Sequence, residues 1–213
     1  MFQLLAIERI LFYGVFGCYL ASMFLYIVFI ALKNEKIAKI AIVLQVCGIV
    51  FNLLTMIVRG INAGRLPLTN QYEFATAFAF GLALVSPIFI LKFKFLTLGA
   101  FASPVTFIVL GYAAMQSREI HELMPALKSS WLGVHVSSAI IAYGSFGVAF
   151  VLSVIYLMKD RMSGSSFLDK HIPKKEKLDL ISYRSVALGL MFLTVCIITG
   201  AIWAQKAWGS YWS

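Results

Sequence analysis

Long apolar runs alternate with short polar ones along the whole chain. The apolar runs cover residues 10–32, 37–58, 72–91, 95–115, 132–158 and 186–203. A helix rises about 1.5 Å per residue and the hydrocarbon core of a bilayer is about 30 Å thick, so about 20 such residues suffice to cross it. The pattern predicts an all-α fold: a polytopic integral membrane bundle of six transmembrane helices in a single domain, residues 1–213. No internal repeat, low-complexity tract or soluble domain interrupts it. The first run lacks a basic flank and exceeds a signal-peptide core, so it is expected to stay as a helix. The longest polar segment, 159–179, reads as a loop.

Composition agrees. Hydrophobic residues make up 61% of the chain and charged ones 13%, against about 45–50% and about 25% in soluble domains. The net charge of +9 does not signal nucleic acid, because the basic residues sit in short loops, where they set topology and meet anionic lipid. The loops after spans 1, 3 and 5 hold 12 Lys and Arg, and the remaining polar segments hold 6. By the positive-inside rule the N-terminus, RGINAGRLPLTNQ, QSREIHELMPALKSS and the tail WAQKAWGSYWS face the outer side. Cys18, Cys47 and Cys196 stand alone in apolar runs with no CxxC spacing, which excludes a thioredoxin-like motif and covalent c-type haem attachment.

His135 is the first candidate for chemistry. It lies about one turn inside the outer end of the fifth span, and an ionisable residue at membrane depth is a functional candidate by default. Neutral imidazole is the form that binds a metal; a hydrogen bond to a neighbouring helix is the other use of such a residue. Trp131 and Tyr143 are expected on its face, with small residues around them (Ser137, Ser138, Ala139, Ala142, Gly144, Gly147) that admit a helix or a flat cofactor. His121 and His171 read as loop residues, and His121 does not complete HExxH. In RLPLTNQYEF, Asn70 and Glu73 form a capping-box pattern behind Pro67. Arg59 and Arg65 could pair with carboxylates of a ligand. The outer carboxylates Glu8, Glu73, Glu119 and Glu122 show no evident acid–base partner, and no catalytic residue is assigned. If the last helix runs on past Trp203, then Trp208, Tyr211 and Trp212 share one face beside Gly209, as an interfacial belt or a wall for a flat apolar ligand.

WAQKAWGSYWS resembles the opening of the tryptophan-rich "WWD" haem-handling segment of cytochrome c biogenesis proteins, and WGSYWS is similar to its CcsA/ResC (system II) form. LTNQYEF resembles a second element of that family, and the stretch from Trp131 through His135 to Tyr143 a third. The elements stand in family order. The resemblance implies a protein that holds non-covalent haem b at the outer face and presents it for joining, through its vinyl groups, to the thiols of a CxxCH segment in apocytochrome c. It makes His135 an axial iron ligand and Trp208, Gly209, Tyr211 and Trp212 part of the haem wall; Trp131 is a further candidate haem contact, and the ligand carboxylates that Arg59 and Arg65 could pair with would be those of haem. It implies a CcsB/ResB-type membrane partner, and a bacterial plasma membrane or, alternatively, a chloroplast thylakoid. In the family WGSYW continues into Trp-Asp-Pro-Lys-Glu and further helices carrying the second outer ligand. The chain is thus expected to be a piece of a longer protein, binding haem weakly or not at all and not attaching it unaided. A cofactor-free transporter or scaffold, with His135 as packing and the tryptophans as an anchor, is the alternative. A haem b or quinone-reactive electron-transfer subunit would need paired histidines, and the spans hold one.

Overall fold

The polar punctuation between the apolar runs becomes helix ends. In the computed structural model, which describes residues 2–122, 127–159 and 167–211 (backbone only for Phe2, Leu168 and Asp169), the Asn34 side chain accepts a hydrogen bond from the Lys36 N–H at 3.0 Å and the Asn70 side chain one from the Glu73 N–H at 2.8 Å. Each thereby satisfies one of the orphan donors at a helix start. The helices are α1 (Phe2–Leu32), α2 (Glu35–Ala63), α3 (Gln71–Phe93), α4 (Thr97–Met115), α5 (Ser130–Lys159), α6 (Phe167–His171) and α7 (Lys175–Trp208). All but the short α6 are long and apolar enough to cross a membrane, and no strand occurs among the described residues.

Two spans start well before the apolar runs that marked them. α1 starts at Phe2 and α7 at Lys175. The first turns of α7 are polar outside, yet Leu178, Ile181 and Ser185 are buried at helical spacing, so one apolar stripe holds the segment helical where overall hydropathy does not. α6 lies in the segment expected to be a loop, and exposed His171 caps its end with Nδ1 2.9 Å from the Phe167 carbonyl.

α3 is the centre, packed on α2, α4 and α5. α1 completes a four-helix half against α2 and α4, and α7 lies outside on α5. At the α3–α5 crossing Gly144 presents its bare Cα face to the Gly81 backbone, and Gly81 faces the Ile140 carbonyl. With little hydrophobic drive between helices in lipid, such close backbone approach supplies the packing. Deeper in the four-helix half, Pro87 lacks an N–H for the Ala83 carbonyl. Gln45 of α2 supplies the donor instead, with Nε2 3.1 Å from that carbonyl and 2.7 Å from Ser86 Oγ. This is how α3 runs unbroken through its proline, since unpaired backbone is costly in an apolar interior.

The up–down order brings the start of α1, the α2–α3 and α4–α5 connections and the end of α7 to one end of the bundle. Lys33, Lys94 and the α5–α7 connection lie at the other.

Candidate functional site

His135 of α5 points at α7. Its Nδ1 lies 2.7 Å from the Cys196 carbonyl oxygen and 3.4 Å from Cys196 Sγ. The antiparallel pair is set by other rungs further along: Ser185 Oγ donates to the Ser145 carbonyl at 2.8 Å, and the Phe146 ring fills the space beside Gly189. On the lipid-facing side His135 opens into a cleft of about 370 Å³ with Gly200, Trp203, Ala204, Trp208 and Tyr211 around it. The His135 and Trp203 rings are near parallel, 19° apart with centroids separated by 6.3 Å, and Trp208 meets Trp203 edge-on at 4.8 Å. The result is an apolar groove in which three aromatic rings and the small residues of one face of α7 surround a single imidazole.

α7 ends at Trp208. Gly209 has φ 79°, in the left-handed region that favours glycine, and its N–H returns to the Gln205 carbonyl at 2.9 Å, a helix stop that also reverses the chain direction. The expected single helical face for Trp208, Tyr211 and Trp212 is therefore corrected. Trp208 closes the helix, while Tyr211 reaches the same cleft only because the chain turns at Gly209. Trp212 lies outside the described residues.

Trp131 and Tyr143 do not join His135. Lys206 Nζ sits 5.4 Å from the Trp131 ring centroid, tying the α7 end to the α5 start, and Tyr143 meets Phe78 of α3 at 6.2 Å. Eight residues advance a helix by about 80° beyond two turns, which carries Tyr143 off the face of His135. Trp203 was not expected at the site. Cys196, Gly200 and Trp203 recur at i, i+4 and i+7, a helical-face signal that the tryptophan-rich tail masks.

The second cluster at this end is ionic. Glu73, with a fully buried side chain, receives Arg59 Nε at 2.9 Å, Arg65 Nη1 at 2.8 Å, and the Thr69 N–H and Oγ at 2.9 and 3.2 Å. Arg59, 1% exposed, also lies 3.5 Å from Glu8 and donates to the Arg118 and Glu119 carbonyls at 2.7 and 3.2 Å. Arg118 in turn lies 4.3 Å from the Phe12 ring centroid. The sequence shows no evident partner for Glu73 and leaves both arginines able to pair with the carboxylates of a ligand. Here Glu73 occupies them, and LTNQYEF is a clamp: Asn70 starts α3, Thr69 and Glu73 hold the arginines, and buried Tyr72 packs on Phe12. Arg59 has every guanidinium nitrogen engaged. Arg65 keeps a buried Nε without a partner and borders a cavity of about 690 Å³ with His121 and Lys128. His121 itself is exposed, 3.6 Å from Glu119.

Among the described residues no three His, Cys, Asp or Glu side chains converge on a point, so a bare ion has no chelating set. A single imidazole beside flat aromatic walls suits a metal that brings its own planar ligand. The residues of the cleft fit haem in that sense.

The family model described as "Cytochrome C assembly protein" matches residues 68–213, which starts at LTNQYEF and takes in α3 to α7. The chain is 33% identical over 173 residues to the cytochrome c biogenesis protein CcsA of Chlamydomonas reinhardtii, covering 76% of this chain and 47% of that protein. It is 33% identical over 178 residues to the CcsA of Guillardia theta, covering 73% and 59%. With the CcsA of Pyropia yezoensis it shares 30% over 241 aligned positions, covering 93% and 76%. The chain thus spans about half to three fifths of the first two relatives.

Proposed function

The chain belongs to the cytochrome c assembly family, and from that premise we propose that it holds haem b for cytochrome c maturation, with His135 as an axial ligand to the iron. The observation that carries this reading is the cleft itself. Trp203 and Trp208 line it from the last turns of α7, and the turn at Gly209 brings Tyr211 to the same imidazole. Trp203 and Trp208 exclude water from one side of the groove. Gly209 aims Tyr211, and Trp212 extends the same segment. Trp131 acts through Lys206, holding the ends of α5 and α7 together, and does not form wall. Arg65, which borders the separate cavity with His121 and Lys128, is the arginine left to meet a haem carboxylate; Arg59 is consumed by the clamp.

Bound in the cleft, haem would supply two vinyl groups to which the thiols of a CxxCH segment could add as thioethers, a reaction that needs no oxidant or reductant. Among the described residues the cleft holds no carboxylate and no lysine, and in this reading His135 is taken up by the iron, so the chain's part is to hold, orient and expose. The acceptor is an apocytochrome c, and the partner a CcsB/ResB-type membrane protein. The site end faces the outer side of a bacterial plasma membrane or its thylakoid equivalent, opposite the lysine-rich loops. Cofactor-free transport through broken midplane helices has no comparable support, because α3 and α4 pass their prolines unbroken.

Ferric haem titrated into the purified protein in mild detergent tests the reading through quenching of tryptophan fluorescence. Saturable quenching that weakens at least tenfold in His135→Ala is expected. Equal affinity of the variant would overturn the assignment of His135.

A further inference from the structure

Two backbone features of α7 meet the His135 ring without being ligands. The Cys196 carbonyl lies 2.7 Å from Nδ1. At Gly200, one turn further on, an added Cβ would stand 2.6 Å from Nδ1 and 2.8 Å from Cε1. We infer that α7 prepares His135 as a ligand in advance: the Cys196 carbonyl fixes the proton on Nδ1, the bare face of Gly200 admits the ring, and Nε2 is left as the atom that meets a metal. This rests on the haem-holding reading and adds how the ligand is set.

A carbonyl oxygen can only accept, so a contact of 2.7 Å requires an N–H on Nδ1. In the neutral ring the proton then stands on Nδ1 and the free lone pair on Nε2. Histidines that bind metals commonly have the other ring nitrogen tied to a carbonyl or carboxylate, which fixes tautomer and ring plane. Here a backbone group provides it, so no side-chain substitution on α7 removes the acceptor. Competing donors are occupied. Ser138 Oγ turns back to the Val134 and His135 carbonyls, both at 2.9 Å, and Thr199 Oγ bonds the Val195 carbonyl at 2.7 Å. Inside α7 the Gly200 N–H takes one lone pair of the Cys196 carbonyl, and the imidazole, at 2.7 Å, takes the second in preference to the Thr199 hydroxyl, which stands further off at 3.2 Å. Cys196 Sγ, at 3.4 Å, is a neighbour and not the partner. Gly200 is required by the space: both ring atoms it faces are fixed by the carbonyl bond, so a methyl group there moves the ring.

The test is nitrogen NMR of the haem-free protein in detergent with ¹⁵N-labelled histidine. The chain has three histidines, and His135→Ala identifies the signal. A single Nδ1–H tautomer for His135 is expected in the wild type and in Cys196→Ala. Gly200→Ala is expected to give a tautomer mixture and an affinity for ferric haem at least tenfold lower. Gly111→Ala, whose Cβ meets nothing within 4 Å, is expected to match the wild type in both. An Nε2–H tautomer or a mixture in the wild type overturns the inference, and that measurement needs no variant to fold. Loss of the fixed tautomer in Cys196→Ala would make the thiol the partner and also overturn it. If the tautomer is fixed but His135→Ala binds ferric haem as well as the wild type, the haem reading fails and the positioning stands. If haem binding depends on His135 while the tautomer is free, the reverse holds.

Discussion

Replacing Glu73 by Gln removes one charge from the middle of the ionic clamp and leaves the volume unchanged. Its carboxylate is fully buried and receives four hydrogen bonds, two of them from guanidinium groups at 2.9 and 2.8 Å. Glutamine keeps one acceptor oxygen and turns an N–H₂ toward a donor, so at least one guanidinium contact is lost and two buried cations lose their shared counter-charge. Breaking a buried pair from one side costs about 3–5 kcal/mol, because the remaining charge is left uncompensated. Glu8 stays 3.5 Å from Arg59 and offsets part of this, which puts the expected loss near the lower end, about 3 kcal/mol. Unfolding by SDS titration in mixed micelles, followed by circular dichroism, measures it. The exposed Glu119→Gln is the control and should stay within about 0.5 kcal/mol of the wild type. A loss below about 1 kcal/mol for Glu73→Gln would mean that the arginines are solvated or otherwise paired, and the clamp would be wrong.

Other expectations follow from single contacts. Gln45→Leu leaves the Ala83 carbonyl opposite Pro87 without its donor and should cost about 1–3 kcal/mol in the same titration. Gly144→Leu drives a side chain into the Gly81 backbone and should cost about 1–3 kcal/mol or prevent assembly of α5 on α3, read as loss of folded protein in size-exclusion chromatography. Gly209→Val forces a branched residue to φ 79°; it should misdirect Tyr211 and weaken ferric haem binding severalfold in fluorescence quenching, with little change in global stability. In that assay Trp203→Phe should weaken binding more than Trp131→Phe, because only the first residue lines the cleft.

The six spans were legible because lipid demands about 20 apolar residues, and that demand is written in composition. α7 was cut short for the same reason. Its first turns satisfy a helix with the stripe Leu178, Ile181, Ser185 rather than with apolar residues all round. The Asn70 start of α3 was legible since a cap is local. His135 stood out as a polar residue at depth, and the tryptophan-rich tail as a wall. The ring that lies parallel to His135, Trp203, is part of that tail, but its place depends on which face of α7 meets α5, a tertiary fact. Gly209 was read as room for a ligand, though a glycine just past the last turn of a helix is first a stop signal. The partnership of Glu73 with Arg59 and Arg65 depends on how the α2–α3 connection folds back, and spacing alone does not distinguish a pair with Glu73 from a pair with a ligand.

The absorption spectrum of the purified protein with ferric and ferrous haem, beside His135→Ala with and without added imidazole, tests the central claim most directly. The account predicts a Soret band in the wild type that is lost or shifted in the alanine variant and restored when imidazole fills the space the side chain leaves. An unchanged band in His135→Ala would contradict iron ligation by this residue and return the tryptophans to the role of a membrane anchor.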